Sequence, residues 1–182
     1  SYFRKGVQQK RMVDTVFGGC YRREVFDRIG LFDERLIRSQ DFEFNKRLRR
    51  FGGKIILVPE IISYYYPVAT LKDFFLHNVQ DGIWTIYPLR FTHSFFSLRH
   101  YVSLLFVLSL FGLLLLSLVN IFFTLLLLML LSMYFTVAFS FAFIIAKNEK
   151  DWRFIGVMPL AFGARHFGHG IGSIMGMVKI VL

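Results

Sequence analysis

The sequence predicts an α/β segment followed by an α-helical membrane region of two to three transmembrane helices. Hydrophobic residues make up 55% of the 182 residues, and the mean hydropathy is +0.51. Residues 101–146 contain no Asp, Glu, Lys, Arg or His, while residues 12–66 alternate short helical and extended patterns. This composition excludes a disordered chain and makes an ordinary soluble domain a poor description.

The charge lies mainly in the first half of the chain. Residues 1–100 have a net charge of +7 and residues 101–182 a net charge of +3. A basic segment before an apolar one is typical of proteins that lie on anionic lipid and handle negatively charged substrates. No basic helix stands out, so no nucleic-acid partner is expected. The single cysteine, Cys20, excludes an intrachain disulfide and a thiolate metal cluster.

The apolar run predicts a helical hairpin in the membrane. One crossing needs about 20 residues, and splitting the run at Asn120 gives helices over 101–119 and 121–146. A buried helical core is the alternative, but it would require more soluble protein than this chain contains. Basic residues flank the run on both sides. We therefore expect a multi-pass protein of the cytoplasmic (inner) membrane, with its soluble part in the cytoplasm.

A third membrane helix is predicted over 155–178, packed against the hairpin. Gly168, Gly172 and Gly176 form a small-residue face for close helix packing. Arg165 near the middle of the bilayer would have to face protein or a polar cavity. A re-entrant or interfacial segment remains the alternative.

Residues 71–100 are predicted to form interfacial or connector helices between the two parts. Within 71–96, tryptophan, tyrosine and phenylalanine are mixed with basic residues, a pattern typical of a helix in the headgroup region. The alternative is a connector helix packed within the soluble domain.

Residues 1–70 form the predicted soluble part. Helices are expected over 22–29 and 40–51, each ended by glycine, and extended pieces over 54–58 and 61–66. About 60 residues cannot bury a complete α/β core by themselves, so this is part of a domain.

Asp41 is the most informative residue of the second helix. Phe44, Leu48 and Phe51 define the expected buried stripe, and the spacing places Asp41 on the same inward face. Two explanations remain open. The carboxylate could simply stabilise the positive end of the helix dipole. Alternatively, it could be a general base aimed into a cleft.

Other candidate binding residues lie nearby in the sequence. Gly18 and Gly19 form a turn that lets a ligand approach the backbone, and Arg22 follows where it could meet phosphate or hydroxyl groups. A tight turn with solvated arginines explains them equally well. Glu43 and Arg47 are spaced for a surface ion pair. The sequence contains no zinc-type spacing and no catalytic serine motif.

Together these residues resemble family 2 glycosyltransferases. The motifs are Phe17-Gly18-Gly19, Tyr21-Arg22-Arg23-Glu24-Val25-Phe26, Ile29-Gly30-Leu31-Phe32-Asp33-Glu34, Gln40-Asp41-Phe42-Glu43-Phe44-Asn45-Lys46-Arg47-Leu48 and Gly52-Gly53. Later motifs, including Pro59-Glu60 and Gly82-Ile83-Trp84, are similar to the membrane-anchored subgroup that includes the succinoglycan-biosynthesis enzymes. The resemblance implies the acceptor-side half of a GT-A (Rossmann-like) domain.

The resemblance also implies an activity. Asp41 would act as the base of an inverting transfer from a nucleotide-sugar to a lipid-linked saccharide at the membrane surface, in exopolysaccharide or cell-surface glycan synthesis. Gly18 and Gly19 match the acceptor-side loop, and Glu43 and Arg47 match motif positions. The complete enzyme would use Mg²⁺ or Mn²⁺, whose Asp-x-Asp ligands are not in this chain. The Gln-x-x-Arg-Trp motif of processive synthases is missing, which favours addition of single sugars.

A non-catalytic membrane adaptor is the alternative function. Because the donor-binding half is not visible, the α/β piece could instead serve to dock a partner. A Rossmann-like pattern with Asp-x-Asp upstream of Ser1 would favour the enzyme.

Overall fold

The computed structural model describes residues 9–14, 18–61, 66, 68–91 and 100–182. Six α-helices, two strands and one 3₁₀ helix occur in these residues. They are β1 (Arg11–Val13), α1 (Arg23–Ile29), α2 (Gln40–Arg50), β2 (Ile55–Leu57), α3 (Leu71–Ile86), the 3₁₀ helix Tyr87–Arg90, α4 (Val102–Ser117), α5 (Ile121–Glu149) and α6 (Phe154–Val181).

The prediction of a partial GT-A, Rossmann-like α/β domain is wrong. Helices account for about 71% of the described residues. The two described strands are three residues each and pair antiparallel in one sheet. A Rossmann-like domain requires parallel strands joined by crossover helices. The strand predicted near residue 55 is confirmed as β2, but its partner is the distant strand β1 and the pair is antiparallel.

The chain divides into two compact units, the first formed by residues 1–67 with 91–94. Its core consists of one buried residue from α1, two from α2 and one from β2: Ile29, Phe44, Leu48 and Ile55. Three aromatic rings, Tyr21, Phe26 and Phe32, surround Phe44 with centroid distances of 4.8, 5.3 and 4.5 Å. Contacts of this kind add to the burial energy of the rings, so Phe44 anchors α2 in this unit.

Both helices predicted in the first unit are confirmed, with ends that differ by one residue. The helix α1 ends at Gly30, which has φ of +78°, and α2 begins directly after Ser39. Phe44 and Leu48 are buried as predicted, but Phe51 is 70% exposed. Phe51 lies beyond the last helical residue, where the backbone leaves the helical path, so the 3.6-residue period no longer determines its direction.

The second unit, residues 68–90 with 95–182, is built on α6. Three glycines spaced four apart on α6 lie against three α3 residues with the same spacing: Gly168, Gly172 and Gly176 against Phe75, Val79 and Ile83. The predicted small-residue face is therefore a packing face, as the spacing indicated. Its partner is α3, whereas α4 contacts the neighbouring Gly170 through Ser103 and Val107.

The prediction of two to three transmembrane helices is also wrong. Among the described helices, α5 is long and apolar enough to cross a membrane, and only 6% of its most apolar stretch is buried. The 16 residues of α4 span about 24 Å, less than the hydrocarbon thickness of about 30 Å. The helix α6 is long enough, but Arg165 and two histidines interrupt its apolar sequence.

Side-chain caps mark the starts of two helices in this unit. The Asn120 side chain accepts a hydrogen bond of 2.8 Å from the Phe122 amide, so the connection predicted at Asn120 is the N-cap of α5. At α3, Thr70 accepts from the Asp73 amide at 3.0 Å. The predicted extended piece at 61–66 and the end of the stretch 71–96 lie partly outside the described residues.

Candidate functional site

Asp41 lies in the first turn of α2 and is exposed. The prediction that it faces inward with Phe44 is therefore wrong. The buried stripe of α2 consists of Phe44, Asn45 and Leu48. It begins at Phe44, one helical turn after Asp41, so Asp41 lies outside the core at the solvent-exposed start of the helix. One carboxylate oxygen, Oδ1, accepts a hydrogen bond of 2.8 Å from the Phe42 amide. Both the helix dipole and this amide stabilise a negative charge there.

A buried amide lies one turn from Asp41. Asn45 is 0% exposed, and its Oδ1 accepts a hydrogen bond of 2.8 Å from the Tyr21 hydroxyl. Tyr21 belongs to the segment after Gly18 and Gly19, so this bond fixes the end of that segment against the first half of α2. Asp41 and Asn45 are four residues apart and share one helix face.

The negative charge of Asp41 also acts on the Tyr21 hydroxyl. Burial raises the pKa of Tyr21, and the negative charge of Asp41 raises this pKa further, while the bond to Asn45 opposes both. The phenol therefore stays protonated to a higher pH than an ordinary tyrosine and donates its hydrogen bond over that range. Asp41, Tyr21 and Asn45 therefore form one polar group, which we call the Asp41 face.

The Asp41 face predicts a measurable change in tyrosine titration. In Asp41→Asn, the pKa of Tyr21 should fall, because the neighbouring negative charge is removed and burial alone remains to raise it. NMR of the protein labelled at the tyrosine ring carbons would follow Tyr21, assigned by its loss in Tyr21→Phe. The matched control is Asp27→Asn on the exposed face of α1. An unchanged Tyr21 pKa in Asp41→Asn would contradict the proximity of the two groups.

Glu43 and Arg47 form the ion pair that their spacing predicts. Arg47 Nη2 lies 2.9 Å from Glu43 Oε2, and its Nε donates to Oε1 at 3.1 Å. The same guanidinium donates to the carbonyl oxygens of Ile29 and Leu31, the latter at 2.8 Å. Arg47 therefore joins α2 to the chain that leaves α1. Its donors are engaged within the protein, and Glu43 holds it in place.

The remaining predicted residues lie on the surface. Gly18, Gly19, Cys20 and Arg22 are all exposed, and Gly18 has φ of +63°, a conformation that favours glycine. Among the described contacts, none joins Gly18, Gly19 or Arg22 directly to Asp41. Tyr21 provides the connection between this segment and the Asp41 face.

The described residues do not fit a divalent metal ion at this site. No group of three His, Cys, Asp or Glu side chains in the described part of the chain lies close enough to hold one. Glu43, the nearest carboxylate to Asp41 in sequence, is bound to Arg47.

Sequence reasoning missed Tyr21 and Asn45. Asn45 lies four residues after Asp41, and this spacing was an available signal. Its burial, however, depends on the packing of Phe44 against the aromatic rings of the first unit. A buried amide requires hydrogen-bond partners, and Tyr21, 24 positions away, supplies one of them.

In the described part of the chain, these observations define a mainly helical structure with one candidate membrane helix and a carboxylate at a helix N-terminus. In a comparison with curated proteins, the chain is 36% identical over 70 residues to a dolichyl N-acetyl-alpha-D-glucosaminyl phosphate 3-beta-D-2,3-diacetamido-2,3-dideoxy-beta-D-glucuronosyltransferase of Methanococcus voltae. The match covers 38% of this chain and 22% of that protein. No family model and no solved structure matches the chain.

The relative is named as a glycosyltransferase, and the chain spans about a fifth of its length. The name of the relative describes a dolichyl-linked sugar as its substrate. In this chain, the exposed apolar helix α5 fits membrane association.

Proposed function

We propose that the chain belongs to an inverting glycosyltransferase in which Asp41 is the general base. The observation that carries the proposal is the Asp41 face: an exposed carboxylate held at a helix N-terminus beside a phenol and a buried amide. Support also comes from the partial similarity to a glycosyltransferase and from the family 2 motifs around residues 40–48.

The proposed step uses the accessibility of Asp41. The acceptor hydroxyl oxygen attacks C1 of the nucleotide-sugar as its proton moves to the Asp41 carboxylate. The bond from C1 to the phosphate oxygen breaks, and the nucleoside diphosphate leaves with the electron pair. Attack opposite the leaving group inverts the configuration at C1. A base in this role must be reachable by the acceptor, and exposure meets that requirement better than the inward position expected from the sequence.

We propose that the acceptor is a lipid-linked saccharide and that the product belongs to a cell-surface glycan. The dolichyl-linked substrate in the name of the relative and the exposed apolar surface of α5 support a membrane-borne acceptor. Each carrier lipid would receive a single sugar, because the motif of processive synthases is missing. In the complete enzyme, a divalent metal would be bound by residues outside this chain.

The experiment that tests this function follows release of nucleoside diphosphate by the protein in membranes. A panel of nucleotide-sugars is supplied with and without an extract of lipid-linked saccharides. Release that requires the extract, together with a radiolabelled sugar recovered in the lipid fraction, is the expected result. Release of free sugar regardless of acceptor would contradict transfer. Absence of turnover with every donor would favour the adaptor function.

We further propose that the transfer occurs at the cytoplasmic face. Residues 1–100 have a net charge of +7, and the negative surface potential of the cytoplasmic leaflet attracts basic segments next to a membrane.

The single cysteine provides a direct test of this orientation. Cys20 is exposed, so a membrane-impermeant maleimide should label it in inside-out vesicles and leave it unlabelled in right-side-out vesicles. Cys20→Ser is the background control. Labelling of Cys20 in right-side-out vesicles alone would reverse the proposed orientation.

A further inference from the structure

The four long helices of the second unit are arranged in layers, with α6 in the middle. Gly168 and Gly172 of α6 meet α3, and each is two residues from Gly170, which meets α4. Two residues turn a helix by about 200°, so α3 and α4 lie on opposite sides of α6. The helix α5 lies beside α4, where Phe106 and Tyr134 stack with ring centroids 4.8 Å apart. The order across the unit is therefore α3, then α6, then the layer of α4 and α5.

The outer face of α3 is charged and polar. Lys72, Asp73 and Gln80 are exposed, and His77 Nε2 lies 3.4 Å from an Asp81 carboxylate oxygen, with both side chains partly exposed. Two exposed leucines lie among these residues: Leu71 and Leu76. A mixture of charged and apolar side chains is typical of a helix that lies at the lipid headgroups.

The outer face of the α4 and α5 layer is apolar. Exposed apolar side chains extend along α5 from Ile121 to Ile144, and α4 contains no charged residue. The hydroxyls of Ser132 and Ser140 donate hydrogen bonds to carbonyl oxygens of α5 itself, at 3.0 and 2.8 Å. Polar groups that are satisfied within their own helix are compatible with hydrocarbon, so this face fits lipid acyl chains.

Contacts along α6 give the level of the α3 charges relative to α5. The helices α3 and α6 run parallel, because their contacts advance together along both, and Phe75 lies against Gly168. Asp73 is therefore at about the level of His166. The Nδ1 atom of His166 lies 3.1 Å from the hydroxyl of Tyr134, which is next to the central residue of α5. The first turn of α3 thus lies at the level of the middle of α5.

Three exposed charges share this level and this side of the unit. Lys72 precedes Asp73, and the exposed Arg165 precedes His166. Arg165 is two helical turns from Gly172, so it projects from the side of α6 that meets α3. If α5 crossed a bilayer perpendicular to its plane, all three charges would lie on an outer surface in the middle of the hydrocarbon. Exposed charges are strongly disfavoured there.

We propose that the second unit lies within one leaflet of the membrane and does not cross it. The layer of α4 and α5 contacts the acyl chains, and α3 lies at the headgroups with its outer face toward water. Packed helices are 8–10 Å apart, so α3 lies about 16–20 Å from that layer. This distance exceeds the hydrocarbon depth of one leaflet, about 15 Å, and places the charges of α3 outside it. The inference goes beyond the proposed function and does not depend on sugar transfer.

Spin labels on the full chain in vesicles of phosphatidylcholine and phosphatidylglycerol test this orientation. In a Cys20→Ser background, cysteines that carry the label replace three exposed, evenly spaced residues on one face of α5: Phe122→Cys, Met133→Cys and Ile144→Cys. A fourth label is placed on α3 at Lys72→Cys. The depth of each label follows from its accessibility to oxygen, which concentrates in hydrocarbon, and to a water-soluble nickel chelate.

We expect the three α5 labels at similar depths in the hydrocarbon, and the Lys72→Cys label about 16–20 Å nearer to water. A crossing helix gives a different profile, with the labels at Phe122→Cys and Ile144→Cys each about 16 Å shallower than that at Met133→Cys. The Lys72→Cys label would then be as deep as the one at Met133→Cys. That profile would overturn the proposal. Access of the chelate to the α5 labels, or their shielding from both reagents by a second copy of the chain, would overturn it as well.

A lysine placed on either side of the unit provides a second test without labels. Met133→Lys puts a charge on the apolar face and should reduce the fraction of protein that floats with vesicles. Gln80→Lys puts the same charge on the outer face of α3 and should float like the wild type. Circular dichroism confirms that both variants keep their helical content. Equal loss of flotation in both would contradict the orientation, and neither test involves transfer, so the proposed function can fail separately.

Discussion

Asp41→Asn should reduce the rate of sugar transfer by about 10²–10⁴-fold, the range expected when a general base is lost. Asparagine has nearly the same shape as aspartate and can still accept the hydrogen bond from the Phe42 amide. It cannot take up the proton of the acceptor hydroxyl. The loss should therefore appear mainly in kcat, with little change in the KM of the nucleotide-sugar. Release of nucleoside diphosphate, measured on the protein in membranes with a lipid-linked acceptor, gives both constants.

Asp27→Asn is the matched control for this experiment, since Asp27 is an exposed carboxylate on the neighbouring helix α1. It should transfer sugar at the wild-type rate. Glu43→Gln is informative in a different way. This substitution removes the carboxylate that binds Arg47. It is expected to lower the free energy of unfolding and to leave kcat nearly unchanged. Near-normal turnover in a folded Asp41→Asn protein would exclude Asp41 as the base.

Gly172→Ala should separate α3 from α6 and destabilise the second unit by about 1–3 kcal/mol, the usual cost of overpacking. A Cβ atom at this position would collide with the backbone carbonyl of Val79. Backbone cannot move aside as a flexible side chain can, so the helices themselves must shift. Gly82→Ala, which meets the carbonyl of His169 from the opposite helix, should act in the same direction. Thermal unfolding in detergent, followed by circular dichroism, would report the loss.

Gly163→Ala provides a control on the same helix. No atom lies within 4 Å of a Cβ added there, so the substitution tests helix propensity without a clash. It should be neutral or stabilise α6 by up to about 1 kcal/mol. If Gly172→Ala and Gly163→Ala unfold at the same temperature, the close contact between α3 and α6 does not exist in solution.

Much of the first unit could be predicted because its signals are local. Gly30 ends α1, the helical period places Phe44 and Leu48 in the core, and a β-rich run gives β2. The extrapolation from these elements to a Rossmann-like domain failed. Element patterns do not specify strand order or direction, and here two strands of three residues pair antiparallel. The resemblance to a family supplied a fold that the described residues do not show.

The candidate site could be predicted only where its signals are local. Asp41 could be identified because its residue type and its place in the first turn of a helix are visible in the sequence. The exposure of Asp41 could not be predicted, since it depends on which residues of α2 the aromatic core covers. Tyr21 and Asn45 escaped prediction because a hydrogen bond across 24 positions leaves no periodic signal.

The sequence alone determined the apolar character of α5, its start at Asn120 and the existence of a small-residue face on α6. These follow from composition, capping and spacing, which are properties of neighbouring residues. Only the tertiary structure decided that this face packs on α3, that Arg47 binds the carbonyls of Ile29 and Leu31, and that Tyr21 donates to the buried Asn45. Each of these depends on which distant segments meet, and packing among segments, rather than local preference, selects those partners.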